Sequence, residues 1–212
     1  MDGLKYPAIS STQGKFLCLA PLIPAALLPG VGVLISLAIV VVTLVVHREA
    51  LPVTLALRYR SIFFSILLGL GVAALLAVAM GTAVDPLLER IFGPIKLDDF
   101  AAVEDNLGNY LLMLAIGLLF GGIVEELIFR GFVIGWGVKL FGSRAAIPLA
   151  MLSAAAFGIT HLYQGWAGVF STGIIGLSFG LLYVFSGRKL LPVIVAHMAT
   201  NFYGITMLYL GH

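Results

Sequence analysis

Residues 114–135, LAIGLLFGGIVEELIFRGFVIG, constrain the fold and function of this chain more than any other stretch. The segment is apolar over a length that can cross a membrane, yet it contains the adjacent carboxylates Glu125 and Glu126, followed by Arg130. A charge inside the hydrocarbon layer costs several kcal/mol, so such residues mark a functional site by default. On a helix, Glu126 and Arg130 are i,i+4 neighbours that can pair. Glu125 points about 100° away from Glu126 and lacks that partner, which leaves it free for acid–base chemistry.

The composition indicates a membrane protein. Of the 212 residues, 61% are hydrophobic and only 10% are charged, whereas soluble domains carry about 25% charged residues. We therefore expect an all-α, polytopic transmembrane helix bundle that forms one membrane domain, residues 1–212, with a motif-bearing core at about 110–205. The sequence has no phosphate loop, metal-finger spacing or basic tract, so we expect no nucleic-acid partner. The lone Cys18 excludes an intrachain disulfide, and its apolar surroundings predict a buried thiol.

The apolar segments predict about six to seven membrane helices. Pro21, Pro24 and Pro29 interrupt the first segment, so either one long kinked helix crosses the membrane or residues 16–28 form a separate short piece. A signal peptide is a further alternative for this segment. The acidic stretch 85–109 is predicted to be a loop. The predicted apolar segments are 16–46, 61–84, 110–136, 147–161, 167–185 and 191–210.

The basic residues predict the orientation of the helices. Loops 47–60, 137–146 and 186–190 carry most of the lysines and arginines outside the apolar segments, and cytoplasmic loops are enriched in these residues. We therefore expect these loops in the cytoplasm and the 85–109 loop outside. The bundle is expected to surround a central polar cavity that opens to the cytosol.

Two later apolar segments contain polar residues at helical spacing. Phe157 and His161 are i,i+4 neighbours, as are His197 and Asn201, so each pair lies on one helix face. Taken singly, these residues have structural explanations: an interfacial histidine, hydrogen bonds between helices, or a core aromatic. Lipid offers a polar side chain no hydrogen-bond partner, so together with the charged residues of segment 114–135 they favour one shared polar site.

Three short sequences resemble the motifs of a known family. EELIFRG at 125–131, FGITH at 157–161 and HMATN at 197–201 are similar, in the same order, to the EExxxR, FxxxH and HxxxN/D motifs of the CAAX-processing and bacteriocin-processing (CPBP, Abi-type) intramembrane endopeptidases. The resemblance covers residues 110–205. It implies an intramembrane peptidase with an active cavity that faces the cytosol.

A hydrolytic mechanism can be assigned to these residues. Amide hydrolysis needs a base for water, stabilisation of the oxyanion and a proton for the leaving amine. Glu125 suits the base and later acid, and His161 could hold the same water. His197 and Asn201 could bind the oxyanion. The supporting residues are Glu126 and Arg130, which would fix the helix, and Phe157, which would form the wall of the site; the resemblance implies the same assignment.

Metal dependence is left open by the residues. Glu125, His161 and His197 could supply N and O ligands to zinc. The chain has no HExxH pair, and adjacent glutamates cannot both reach one ion from a regular helix, so we favour a mechanism without a cofactor. The two histidines lie at different predicted depths in the membrane. His161 is about 22 Å from the start of its segment, next to basic loop 137–146, whereas His197 is only a turn or two from basic loop 186–190. A shared site therefore requires tilted helices or a deep cavity.

Two other functional classes fit the same residues. Chains of buried Glu, His and Arg also serve proton- or ion-coupled transporters, although the hydropathy pattern shows no internal repeat. A non-catalytic immunity or scaffold protein is the other alternative. As a peptidase, the chain is expected to lie among membrane lipids and to cleave a hydrophobic or lipidated peptide. We expect it in the inner membrane of a prokaryotic cell, while the identity and prenylation of the substrate and the oligomeric state stay open.

Overall fold

The computed structural model describes residues 11–28, 30–56 and 61–211, and helices make up most of this part of the chain. No strand occurs within these three ranges, which confirms the predicted all-α class. A short 3-10 segment, Asp98–Val103, lies between two of the long helices. The helices are α1 Ser11–Leu19, α2 Leu22–Leu27, α3 Val31–Val46, α4 Arg48–Leu55, α5 Ile62–Phe92, α6 Leu107–Phe141, α7 Ser143–Thr160, α8 Leu162–Phe185 and α9 Leu190–Tyr209.

Helices α5 to α9 form the polytopic bundle. By length and composition, five helices of the described part can each cross a membrane, and α3 with α4 would add a sixth as one span bent by 105°. With the bent pair counted, the number of candidate spans agrees with the lower end of the six to seven predicted. The first apolar segment is divided. There α2 folds back on α3, and Ser36 Oγ donates a 2.6 Å hydrogen bond to the Pro21 carbonyl. The alternative of a separate short piece before the first long helix is therefore confirmed, with two short helices instead of one.

The predicted loop 85–109 begins too early. Helix α5 continues to Phe92 because side chains of its last two turns pack on α8. Ser171 Oγ donates a 2.6 Å hydrogen bond to Asp85 Oδ1, and the ring of Phe92 stacks on Phe170 with centroids 4.6 Å apart. These contacts satisfy a carboxylate oxygen and cover one face of an aromatic ring, so the chain stays helical where the sequence becomes polar.

Helix α6 is wound differently from the regular α-helix that we predicted. Two stretches, Gly117–Glu125 and Leu127–Trp136, have the wider π-helical winding with i→i+5 hydrogen bonds. Such winding is rare and is frequently found at functional sites. Every residue from 128 to 138 is buried, and Phe129, Phe132 and Trp136 of this stretch belong to a core cluster that also contains residues of α1, α2, α3 and α7.

The three basic loops lie at one end of the bundle, which we call the basic end (residues 47–56, 137–146 and 186–190; residues 57–60 of the predicted loop lie outside the described ranges). Lys139 Nζ donates to the Glu49 carbonyl at 3.3 Å and joins two of these loops. Ser186 and Lys189 of the third basic loop line a cavity of about 480 Å³ together with Ser61, which precedes α5. The third loop therefore lies at the same end as the start of α5.

The opposite end, which we call the acidic end, contains residues 93–106, 161–165 and 210–211. The Lys96 amide donates to the Gln164 carbonyl at 3.0 Å, and the Asp105 amide donates to the Tyr209 carbonyl at 3.1 Å. The helices therefore alternate in direction as the predicted topology requires.

Candidate active site

Glu126 is the centre of the polar cluster. Its Oε1 accepts a 2.8 Å hydrogen bond from Arg130 Nη1, which confirms the predicted i,i+4 pair. The same oxygen lies 2.7 Å from His197 Nδ1 of α9. Because this carboxylate oxygen accepts from an arginine, the hydrogen of the second contact belongs to the histidine. His197 therefore holds a proton on Nδ1 and directs Nε2 elsewhere.

Arg130 is fully enclosed, and α8 supplies its second partner. Its Nη2 donates a 2.8 Å hydrogen bond to the Gly176 carbonyl. The guanidinium carbon lies 5.0 Å from the ring centroid of Phe157 and 5.5 Å from that of Phe179, distances at which aromatic faces attract a cation. Sequence reasoning missed Gly176, because a backbone acceptor on another helix leaves no trace in residue spacing.

Glu125 differs from Glu126 in its surroundings. Its Oε2 lies 3.8 Å from His197 Nε2, which is beyond hydrogen-bond distance. The Glu125 side chain is 16% exposed, whereas that of Glu126 is 0% exposed. Within the described part of the chain, the Glu125 carboxylate forms no hydrogen bond, which agrees with the prediction that Glu125 does not share the arginine partner of Glu126.

His161 lies in the turn between α7 and α8 and is half-buried. Its Nδ1 is 3.0 Å from the Phe157 carbonyl oxygen and 2.9 Å from Thr160 Oγ1. The Thr160 hydroxyl itself donates to the Phe157 carbonyl, and a carbonyl only accepts, so the ring proton lies on Nδ1. The neutral ring therefore has its lone pair on Nε2, where it can accept a hydrogen bond from water.

Phe157 brings the two histidines together. Its ring centroid lies 5.0 Å from that of His161 and 5.9 Å from that of His197. The predicted difference in depth is thus reconciled, because both rings pack on one aromatic side chain. Phe157 also packs edge-on against Phe129 at 5.3 Å, as expected for a wall of the site.

Asn201 contacts the glycines of α6. Its Nδ2 donates a 2.8 Å hydrogen bond to the Gly117 carbonyl. A methyl group on Gly121 would collide with the same Nδ2 and would lie 3.6 Å from His197 Nε2. The Gly117/Gly121 spacing is visible in the sequence, where such a pair indicates only close packing of helices. Gly121 lies one turn before Glu125, and this position is the signal that could have placed Gly121 at the site.

The predicted zinc ligands can be tested against this geometry. Glu125, His161 and His197 have suitable donor atoms, and both histidines have Nε2 free. Within residues 11–28, 30–56 and 61–211, however, no three His, Cys, Asp or Glu side chains converge as a ligand set. We therefore derive no step through a metal.

The fold and the site together define a multi-pass integral membrane protein with a buried Glu–Arg–His network. Residues 107–203 match the family described as Type II CAAX prenyl endopeptidase Rce1-like. This segment is a little under half of the chain and contains the three motifs whose resemblance to the family was noted in the sequence. The match supports a CAAX-type intramembrane protease in general. No curated protein and no solved structure shows a significant match to the chain.

Proposed function

We propose that this protein is an intramembrane endopeptidase in which Glu125 activates the water that attacks the peptide bond. The observation that carries the proposal is the difference between the two adjacent glutamates. Glu126 Oε1 is engaged by Arg130 and His197, while Glu125 is partly exposed beside His197 Nε2. A general base must be able to gain and lose a proton, and among the described residues no hydrogen bond competes for the Glu125 carboxylate, whose nearest charged neighbour is His197 at 3.8 Å.

The reaction proceeds in two proton transfers. Glu125 takes a proton from a water that His161 Nε2 orients, and the water oxygen bonds to the carbonyl carbon of the substrate. The tetrahedral intermediate then collapses as the carbon–nitrogen bond breaks. Glu125 returns its proton to the leaving amine, so the products are one carboxyl and one amino terminus.

Two donors on one face of α9 would stabilise the oxyanion. Asn201 uses one hydrogen of its amide on the Gly117 carbonyl and has a second one available. His197 can donate from Nε2 when the ring carries both protons, and Glu126 balances that positive charge. Donors fixed before the reaction are worth most in a site that excludes water.

The surface beside Glu125 supports a hydrophobic or lipidated substrate. On α6, Leu119, Phe120 and Ile123 are exposed within two turns before Glu125. A substrate that lies along this apolar surface, among membrane lipids, would reach the carboxylate without crossing the buried core. A matched peptide pair with and without a prenyl group tests this preference.

The decisive experiment compares glutamate variants of the purified protein on a quenched fluorescent peptide library. Glu125→Gln keeps the shape of the side chain and removes the base, so we expect cleavage to be lost while the protein stays folded. Glu104→Gln, at an exposed position of the acidic end, is the control and should cleave at the wild-type rate.

Three other outcomes would change the proposal. Full activity of Glu125→Gln would remove this residue from the reaction. Inhibition by a chelator with recovery on adding zinc would establish a metalloprotease. Ion flux through liposomes that depends on Glu125, without any cleavage, would identify a transporter.

A further inference from the structure

The cavity of about 480 Å³ at the basic end lies between the start of α5 and the start of α9. Its volume is within the range of sites that bind small molecules, about 300–1,000 Å³. One wall comes from the first two turns of α5, and the other comes from the loop before α9 and the first turn of that helix. Next to the cavity the two helices cross closely, because a methyl group on Gly69 would collide with the Pro192 carbonyl and with Val195. The cavity is therefore bounded by two helices that pack directly on each other.

The described part of the chain gives this cavity a positive charge. Lys189 lines it, and the other described lining residues are serine, phenylalanine, leucine and proline. Lys189 is half-buried and, within the three described ranges, forms no salt bridge with a carboxylate. The exposed Arg188 precedes it in the loop. An anion in the cavity would therefore meet a cation that has no acidic partner among the described residues.

Both helices begin at this cavity. Ser61 is the N-cap of α5, where its hydroxyl oxygen accepts a 3.3 Å hydrogen bond from the Phe64 amide. Lys189 is the N-cap of α9 and offers that helix no side-chain acceptor. The first amides of a helix carry partial positive charge because they have no partner within the helix. The two helix ends therefore add to the charge of Lys189 and favour an anion over a cation.

The α5 wall of the cavity is apolar and exposed. Phe64 is 70% exposed and Leu68 is 45% exposed, and as i,i+4 neighbours they lie on one helix face. Ser61 and Leu68 are about 10 Å apart along the helix axis, so the cavity extends from the polar start of a membrane span into its apolar part. A free phosphate would leave this wall uncovered, whereas a phospholipid has acyl chains beside its phosphate.

We infer that this cavity binds the headgroup phosphate of an anionic phospholipid, with Lys189 as the cation and an acyl chain along Phe64 and Leu68. The basic end is predicted to face the cytoplasm, and the cytoplasmic leaflet is the one that carries anionic lipids. Basic pockets between membrane helices on that side are known to bind such headgroups. The bound lipid would connect the start of α5 to the start of α9. This inference concerns binding alone and does not depend on the proposed peptidase activity.

Native mass spectrometry of the purified protein in a neutral detergent tests this binding. The protein is titrated with phosphatidylglycerol, or with phosphatidylcholine that has the same acyl chains, and we expect phosphatidylglycerol to bind more tightly. Lys189→Gln should weaken phosphatidylglycerol binding about fivefold, which is the effect of one basic residue near an anionic membrane surface. The control Lys139→Gln removes a lysine at the same end but outside the cavity, and it should bind as the wild type does. Equal binding of the two lipids, or equal binding by the two lysine variants, would overturn the inference.

A second pair of variants separates binding in the cavity from attraction to the basic end as a whole. Ser65→Phe leaves every charge in place and puts a ring into the cavity, so it should weaken phosphatidylglycerol binding. Ile66→Phe, at the next residue and outside the lining, should leave the binding unchanged. Undiminished binding by Ser65→Phe would place the lipid elsewhere and contradict the inference. Excess inorganic phosphate is the last arm: displacement of phosphatidylglycerol would identify a site for the free anion instead of a lipid, whereas retention of the lipid supports the inference.

Discussion

Replacing Arg130 by methionine tests whether the buried network holds the bundle together. The change removes two 2.8 Å hydrogen bonds, to Glu126 Oε1 and to the Gly176 carbonyl, and leaves Glu126 as a buried carboxylate without its cation. Removal of one partner of a buried ion pair costs about 3–5 kcal/mol, because the other charge is left uncompensated. Truncation of an exposed arginine changes stability by about 0.5 kcal/mol or less.

The measurement is the free energy of unfolding in mixed micelles as the denaturing detergent is increased. Arg130→Met should lose stability in the buried-pair range, and the exposed Arg144→Met serves as the control. Adding Glu126→Gln to Arg130→Met should restore part of the loss, because the double variant no longer buries an unpaired charge. A loss below about 1 kcal/mol, which is typical of surface ion pairs, would refute the argument, as would a double variant whose losses simply add.

Two further substitutions test the positions of the catalytic groups. Gly121→Ala should displace the Asn201 amide from the Gly117 carbonyl and abolish cleavage. The control is Gly71→Ala, which has open space around the added methyl group and should cleave at the wild-type rate. Equal rates for the two variants would show that Asn201 takes no part in the reaction. Thr160→Val removes one of the two acceptors near His161 Nδ1 and should slow cleavage by about tenfold or less, as one hydrogen bond is worth about 1 kcal/mol. A loss as large as that of His161→Ala in the same assay would contradict this reasoning.

Local spacing predicted those parts of the site that depend on one helix. Glu126 and Arg130 pair because positions four apart lie together on any helical winding close to the α-helix, and the structure has this pair. The membrane class could be predicted equally directly, because apolar segments of this length cross lipid as helices, which satisfy their backbone hydrogen bonds internally. The proline-rich first segment left two alternatives, and only packing against α3 decided between them.

Contacts between helices could not be predicted, because they depend on tilt and rotation. The bond from His197 to Glu126, and the bond from Arg130 to the Gly176 carbonyl, each join helices far apart in sequence. The π-helical winding of α6 could not be predicted either, because it is accompanied by contacts with another helix. The π-helical stretch around Gly117 and Gly121 packs on Asn201 of α9. A pattern read within one segment of the sequence does not show this contact.

Under the proposed function, the two adjacent glutamates have separate roles, because the neighbouring helices give each of them different partners. Glu126 is enclosed and accepts hydrogen bonds from Arg130 and His197, so it holds α6 and α9 together and fixes the proton on His197 Nδ1. That proton leaves His197 Nε2 beside Glu125, whose carboxylate stays free. Stability and chemistry should therefore divide between the two residues. Glu126→Gln should weaken both the fold and cleavage, since it disturbs Arg130 and His197 together, whereas Glu125→Gln should abolish cleavage and leave the free energy of unfolding close to that of the wild type.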